Sequence, residues 1–141
     1  MTKVIVDASA LLALFKPTPE EGSDVIQKLL PNAVLSAVNF AETSYCLIRH
    51  GVPYLEALHI IEACIPEIVP FTLRHARIVS RIYPTTRPYG LSFGDLACLA
   101  LGLETGYTVY TADQIWEKIE LPNLHVRLIR KSTREHPRPP R

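Results

Sequence analysis

Disulfides, membrane spans, repeats and a dominant charge sign are all missing from this chain, and each absence closes off a class of protein. Among 141 residues there are three cysteines, Cys46, Cys64 and Cys98, each in an apolar helical pattern and none at a paired spacing. A disulfide framework or a cysteine-held zinc is thereby excluded as the organising device, and a reducing compartment is expected. No uncharged apolar run approaches the roughly 20 residues that span a bilayer, and no leader-like segment precedes Lys3. The expectation is a cytoplasmic chain with no membrane partner. No internal repeat is visible.

Charge is nearly balanced, at +1 overall, but it is unevenly spread. Residues 127–141 sum to +5, which leaves −4 on the first 126. A basic end on a mildly acidic body suits a polyanionic partner. The last stretch, "KSTREHPRPPR", has three prolines and no apolar periodicity, so residues 131–141 are expected to form a disordered basic tail. The preceding 1–130 are expected to form one domain, since 48% hydrophobic and 21% charged residues describe an ordinary globular composition.

Within that domain the hydrophobic period alternates between strand and helix. Strand-like segments fall at 3–6, 33–36, 67–70, 107–111 and 125–129. Helical patterns fall at about 9–15, 20–30, 38–50, 54–64, 73–83, 92–104 and 114–118. Strands alternating with helices predict an α/β fold: three α/β/α layers around a parallel sheet of four to five strands.

Four carboxylates stand where lone anions are unexpected. Asp7 is the only charge between Lys3 and Lys16, Glu42 between Lys28 and Arg49, Asp95 between Arg87 and Glu104, and Asp113 between Glu104 and Glu117. Asp7 and Asp113 end strands, whereas Glu42 and Asp95 lie in the first turns of apolar helices. In an open parallel sheet, strand carboxyl ends and neighbouring helix amino ends form one crevice. Carboxylates crowded there repel unless hard cations lie between them. With no histidine or cysteine alongside, the arrangement suits Mg²⁺ or Mn²⁺ and not zinc. Ser9, Asn39 and Thr111 lie beside the acids and are candidates to orient them or hold a metal-bound water. Each residue also has a purely structural reading. Asp7 can cap the helix after it, "SFGD" is a capping box of Ser92 and Asp95, "TAD" can form a side-chain turn, and Glu42 can be a solvated helix residue.

The stretches "VIVDASALLALF", "SAVNFAETSY", "LSFGDLACLALGLETG" and "VYTADQIW" resemble the acidic motifs of PIN-domain ribonucleases, in particular the VapC-type toxins of bacterial toxin–antitoxin pairs. The likeness runs from about residue 2 to 130, and Leu91 to Asp113 is its most specific part. The resemblance implies that Asp7, Glu42, Asp95 and Asp113 are the catalytic acidic quartet, with Ser9 and Thr111 as accessory hydroxyls. It implies a metal-dependent endoribonuclease, an RNA substrate, a cognate antitoxin and a homodimer. Asp7 and Asp95 would be the principal metal ligands. Glu42 and Asp113 would be ligands, direct or through water, or would help to orient the nucleophile. The five histidines, His50, His59, His75, His125 and His136, lie outside these motifs and read as surface or packing residues. The loop-like "YPTTRPYG" offers Tyr83, Arg87 and Tyr89 for base stacking, or else a rigid connector.

Two other readings stay open at this stage. One is a catalytically silent PIN scaffold that binds RNA or a protein. The other is a receiver-type domain with Asp7 as phosphoacceptor, which calls for a companion acid or a lysine that "DAS" lacks.

Overall fold

The computed structural model describes residues 2–16, 18 and 20–130. The expected disorder of 131–141 concerns residues outside that range. Five strands, β1 (Val4–Val6), β2 (Ala33–Ser36), β3 (Glu67–Val69), β4 (Thr108–Thr111) and β5 (Val126–Leu128), form one sheet in the order β3-β2-β1-β4-β5. Every pairing is parallel. Parallel neighbours need crossovers, and the helices supply them: α1 (Ala8–Phe15), α2 (Ser23–Leu29), α3 (Ala37–Arg49), α4 (Tyr54–Cys64), α5 (Leu73–Thr86) and α6 (Phe93–Thr105).

Alternation along each strand divides the core into two layers. Val6, Ala33 and Leu35 face one cluster with Leu11, Ile26, Leu47 and Ile61 from α1 to α4. Ile5, Val34 and Val109 face the other, with Ile82, Leu99, Leu101 and Trp116. The result is the expected three-layer α/β/α architecture. Its most buried helix is α6, where every residue from Leu96 to Gly102 is shielded from solvent. That helix packs on β1, β2 and β4 as well as on α3 and α5, which explains why its sequence is apolar nearly all round.

Chain order reverses beside β1: β2 and β3 extend the sheet on one side, β4 and β5 on the other. The cleft that opens at such a reversal lies at the strand carboxyl ends. Asp7 follows β1 there and Asp113 follows β4, so the topology itself brings residues a hundred positions apart to one edge.

Three segments depart from expectation. The segment 20–30 is helical only from Ser23, because Gly22 takes a left-handed φ of 92° and starts the helix late. Helix α5 runs on to Thr86, past Pro84, so Tyr83 is helical and "YPTTRPYG" is not a loop. Thr86 Oγ1 donates to the carbonyl oxygens of Ile82 and Tyr83 and so steadies the turn after the proline. Arg87–Tyr89 then form a 3₁₀ turn, and the Tyr89 hydroxyl donates to Lys118 O. Gln114–Lys118 is likewise 3₁₀ rather than α-helix, anchored by the buried Trp116.

Candidate active site

Asp7 leaves β1 in an extended conformation and becomes the N-cap of α1, its Oδ1 accepting the Ala10 N–H at 2.8 Å. The Ser9 hydroxyl donates to the same carboxylate, 2.9 Å from either oxygen, and Thr111 Oγ1 donates to Oδ2 at 2.6 Å. Ser9 Oγ in turn accepts the Ala112 N–H, and Thr111 Oγ1 accepts that of Asp113. The two hydroxyls therefore lace the end of β4 to the start of α1 through one carboxylate, which is only 3% exposed. Burial pushes the Asp7 pKa up to about 7, against the opposing pull of the Thr111, Ala10 and Ser9 hydrogen bonds; the charge of Asp95 adds to the rise.

Glu42 is placed by α3 and held by Asn39, one turn earlier. Asn39 Nδ2 donates to Glu42 Oε1 at 2.8 Å and to Gly94 O at 3.0 Å, tying α3 to the first turn of α6. The Asn39 Oδ1 is buried without a hydrogen-bond partner among the described residues. Glu42 is half-buried, so it is not the solvated helix residue that spacing alone would permit. Its pKa is raised, chiefly by burial and further by Asp95, with Asn39 opposing.

Asp95 sits at N3 of α6 in a full capping box. Its Oδ2 accepts the Ser92 N–H at 2.9 Å, and Ser92 Oγ accepts the Asp95 N–H at 3.1 Å. Its charge acts on both Asp7 and Glu42. All three carboxylates also act on Cys98, one turn along α6, whose thiol pKa is pushed well up by its burial first and by their charges next. The fourth acid, Asp113, caps the 3₁₀ turn through Oδ1 and the Ile115 N–H. It is connected to Asp7 through Thr111.

Thus Asp7, Glu42 and Asp95 are brought into one electrostatic cluster, and Asp113 borders it by way of the Ser9–Thr111 lacing. Asp7, Asp95 and Asp113 also serve as helix-end caps, as their structural readings anticipate. Two contributors lie outside the pattern of lone acids. A Cβ on Gly94 would stand 2.2 Å from Glu42 Cδ, so only glycine lets that carboxyl rest on the helix start. A glycine inside the first turn of "SFGDLA" was the available signal, since it weakens a helix unless something needs its space. Cys98 carried no comparable mark.

The donor set fits a hard divalent cation in chemistry: oxygen ligands only, with two carboxyls whose raised pKa values would fall beside positive charge. Neither Asp7 nor Glu42 forms an ion pair among the described residues, so cationic side chains do not take that place. The cage is not preformed, however. No group of three or more His, Cys, Asp or Glu among the described residues is gathered closely enough to hold one ion. A cation here would be shared through water or would draw the side chains inward.

The PIN domain family profile matches residues 4–121. No curated protein matches the sequence at a significant level. Among solved structures, the chain is similar to VapBC2 from Rickettsia felis bound to promoter DNA, with 16% identity, 90% of this chain and 98% of that one covered, and a TM-score of 0.71. It is similar to FitAcB from Neisseria gonorrhoeae, with 19% identity, 87% and 95% coverage, and a TM-score of 0.63. It is also similar to Mycobacterium tuberculosis VapC20, a sarcin-ricin loop cleaving toxin, with 16% identity, 87% and 99% coverage, and a TM-score of 0.68.

Proposed function

The chain belongs to the PIN domain family, and from that premise we propose that it is a metal-dependent endoribonuclease and the toxin of a toxin–antitoxin pair. The observation that carries the proposal is a buried carboxylate, Asp7, with its pKa pushed up to about 7 at the sheet's reversal point, coupled to a second acid on another helix. Similarity to VapBC and FitAB assemblies supports the antitoxin partner.

Asp7 and Asp95 are the principal ligands in this reading, with Glu42 and Asp113 binding directly or through water. Mg²⁺, or Mn²⁺ in its place, would supply an activated water and neutralise the phosphate. The protein's own part is positioning. Thr111, Ser9 and the Ala10 N–H hold the Asp7 carboxylate in one orientation, and Asn39 holds Glu42. A cation in the cleft would favour the ionised form of Asp7 against the burial that raises its pKa. The scissile phosphate would lie over these acids, and this scheme requires no histidine: among the described residues, His75 is the buried one, and it is bound to Thr72 and Glu104 instead.

Tyr45 and Ile48 on α3 and Tyr54 and Leu55 on α4 are large apolar side chains left exposed, which a second copy would cover in a homodimer. No helix among the described residues is long and apolar enough to cross a membrane, in keeping with a cytoplasmic place of action. Residues 131–141 are proposed as a separate basic tail that adds phosphate contacts beside the 1–130 domain.

Incubating the purified protein with structured RNA tests the reading. Cleavage should require Mg²⁺ or Mn²⁺ and stop in EDTA and in Asp7→Asn. Robust cleavage in EDTA with Asp7→Asn equally active would remove the mechanism, and a protein that binds RNA but never cuts it would be a silent scaffold.

A further inference from the structure

Beside the acidic cluster, an aromatic side chain is left in water. Phe93 opens α6, one residue before the glycine that supports Glu42 and two before Asp95, yet it is 58% exposed. It belongs to neither core cluster. Leaving a phenylalanine in water forgoes the stabilisation that burial would give, and the core packing of α6 does not use this ring. Its neighbour in space is Phe71, which follows β3 at the same carboxyl edge of the sheet; the ring centroids are 5.6 Å apart at 57°. Phe71 is backed by His75, with centroids 5.9 Å apart. His75 is itself fixed, its Nδ1 accepting the Thr72 N–H and its Nε2 bonded to Glu104 Oε1 at 2.8 Å. The three rings thus form a braced row whose outermost face is open to solvent.

We propose that Phe93, braced by Phe71, is a stacking platform for an unpaired nucleobase next to the scissile phosphate. The inference rests on the nuclease reading above and adds to it a residue that positions the substrate. The location favours a base over a protein side chain. Phe93 directly precedes Gly94, the seat of Glu42, and Asp95 directly follows it; at about 100° per residue the ring and the Asp95 carboxylate leave the helix on opposite sides of that seat, so the ring flanks the cluster beside Glu42. A strand whose phosphate occupies the acidic cleft therefore has a flanking base within reach of the ring. Stacking on an aromatic face adds attraction for RNA that the charge of the acidic cleft does not oppose. Phe93 is a positioning residue in this scheme and does not touch the reacting atoms.

The test uses the full chain and a short single-stranded RNA carrying 2-aminopurine at successive positions around the cleaved bond. In EDTA the strand stays intact; affinity and 2-aminopurine emission are read for the parent, Phe93→Ala, Phe93→Trp and Phe71→Ala. Loss of one stacked base should weaken binding about 5- to 150-fold in Phe93→Ala, by the usual worth of base–aromatic stacking. Phe93→Trp should restore it, and the salt dependence of binding should not change, because no phosphate contact is lost. One labelled position should be quenched by the parent and by Phe93→Trp, and not by Phe93→Ala. In Mg²⁺, Phe93→Ala should raise KM for cleavage with little effect on kcat. A parent that cleaves RNA while Phe93→Ala matches it in affinity, quenching and KM overturns the platform alone. Equal weakening by alanine and tryptophan overturns it too, since that pattern reports disturbed helix packing. A parent that neither quenches nor cleaves overturns the nuclease reading together with the platform.

Discussion

Thr111 donates its hydroxyl to Asp7 Oδ2 across 2.6 Å, although 104 positions of sequence separate the two. The bond crosses from β4 to the end of β1, the point where the sheet order reverses. It ties the candidate site to the correct pairing of the central strands, so site and fold form together. It also favours the ionised form of Asp7 against the burial that disfavours it.

Thr111→Val keeps the shape of the side chain and removes that donor. Stability should fall by about 1–3 kcal/mol, the usual cost of depriving a buried polar group of its partner. The loss should be larger at pH 8 than at pH 5, because the bond serves the carboxylate more than the acid. Urea denaturation at the two pH values checks this, and equal losses would show that Asp7 has the same charge at both.

The Asp7 pKa predicts a pH dependence with a definite sign. Its folded value of about 7 exceeds the unfolded value near 3.8. The unfolded chain therefore gains by ionising Asp7 first. The contribution to folding is fully present below about pH 4 and is lost as pH rises through about 7. Asp7→Asn retains an oxygen to accept the Ala10 N–H and does not titrate. Across pH 5 to 8 in EDTA, the stability of the parent relative to Asp7→Asn should decline as pH rises, by about 2–3 kcal/mol. A difference that stays flat, or grows with pH, would mean that Asp7 ionises as an ordinary carboxylate.

Gly94→Ala separates the seat of Glu42 from the stability of α6. The new methyl would meet the Glu42 carboxyl at 2.2 Å and must displace it. The displaced group is the end of a flexible side chain, and alanine is the better helix former by about 0.5–1 kcal/mol. The melting temperature should hold or rise slightly while RNA cleavage falls by at least about tenfold. Unimpaired cleavage would show that Glu42 need not rest where it does.

Much of this was visible in the sequence because two independent patterns agree. Alternating periods gave the parallel sheet, and acids isolated from other charges gave Asp7, Glu42, Asp95 and Asp113. Ser9 and Asn39 followed from short spacings to Asp7 and Glu42, and those bonds are in place, whereas Thr111, singled out for its nearness to Asp113, gives its hydroxyl hydrogen to Asp7 across the sheet. Less legible were features that depend on what lies across space. The helical pattern was expected to end at residue 83, but α5 continues through Pro84 to Thr86, whose hydroxyl bonds the last turn. Gly94 and Cys98 matter only through neighbours on other elements. Periodicity also could not separate capping from a proposed site role at Asp7, Asp95 and Asp113, because a carboxylate at a helix start suits either.

That double fit makes Asp95→Asn the most discriminating substitution. Asparagine keeps an oxygen that can accept the Ser92 N–H, so the capping box survives in outline. It removes the charge that raises the pKa of both Asp7 and Glu42. Without metal, the substitution should be neutral or stabilising by about 0–2 kcal/mol, because repulsion within the cleft is relieved. With saturating Mg²⁺ the parent should gain stability, since a ligand that binds only the folded state stabilises it by mass action. Asp95→Asn should show a much smaller gain and no RNA cleavage. Thermal melting of both proteins, in EDTA and in Mg²⁺, reads all of these stability changes. A variant clearly destabilised in EDTA, yet with the parent's full response to Mg²⁺, would make Asp95 a helix cap and nothing more. Any metal would then have to be held by Asp7, Glu42 and Asp113 alone.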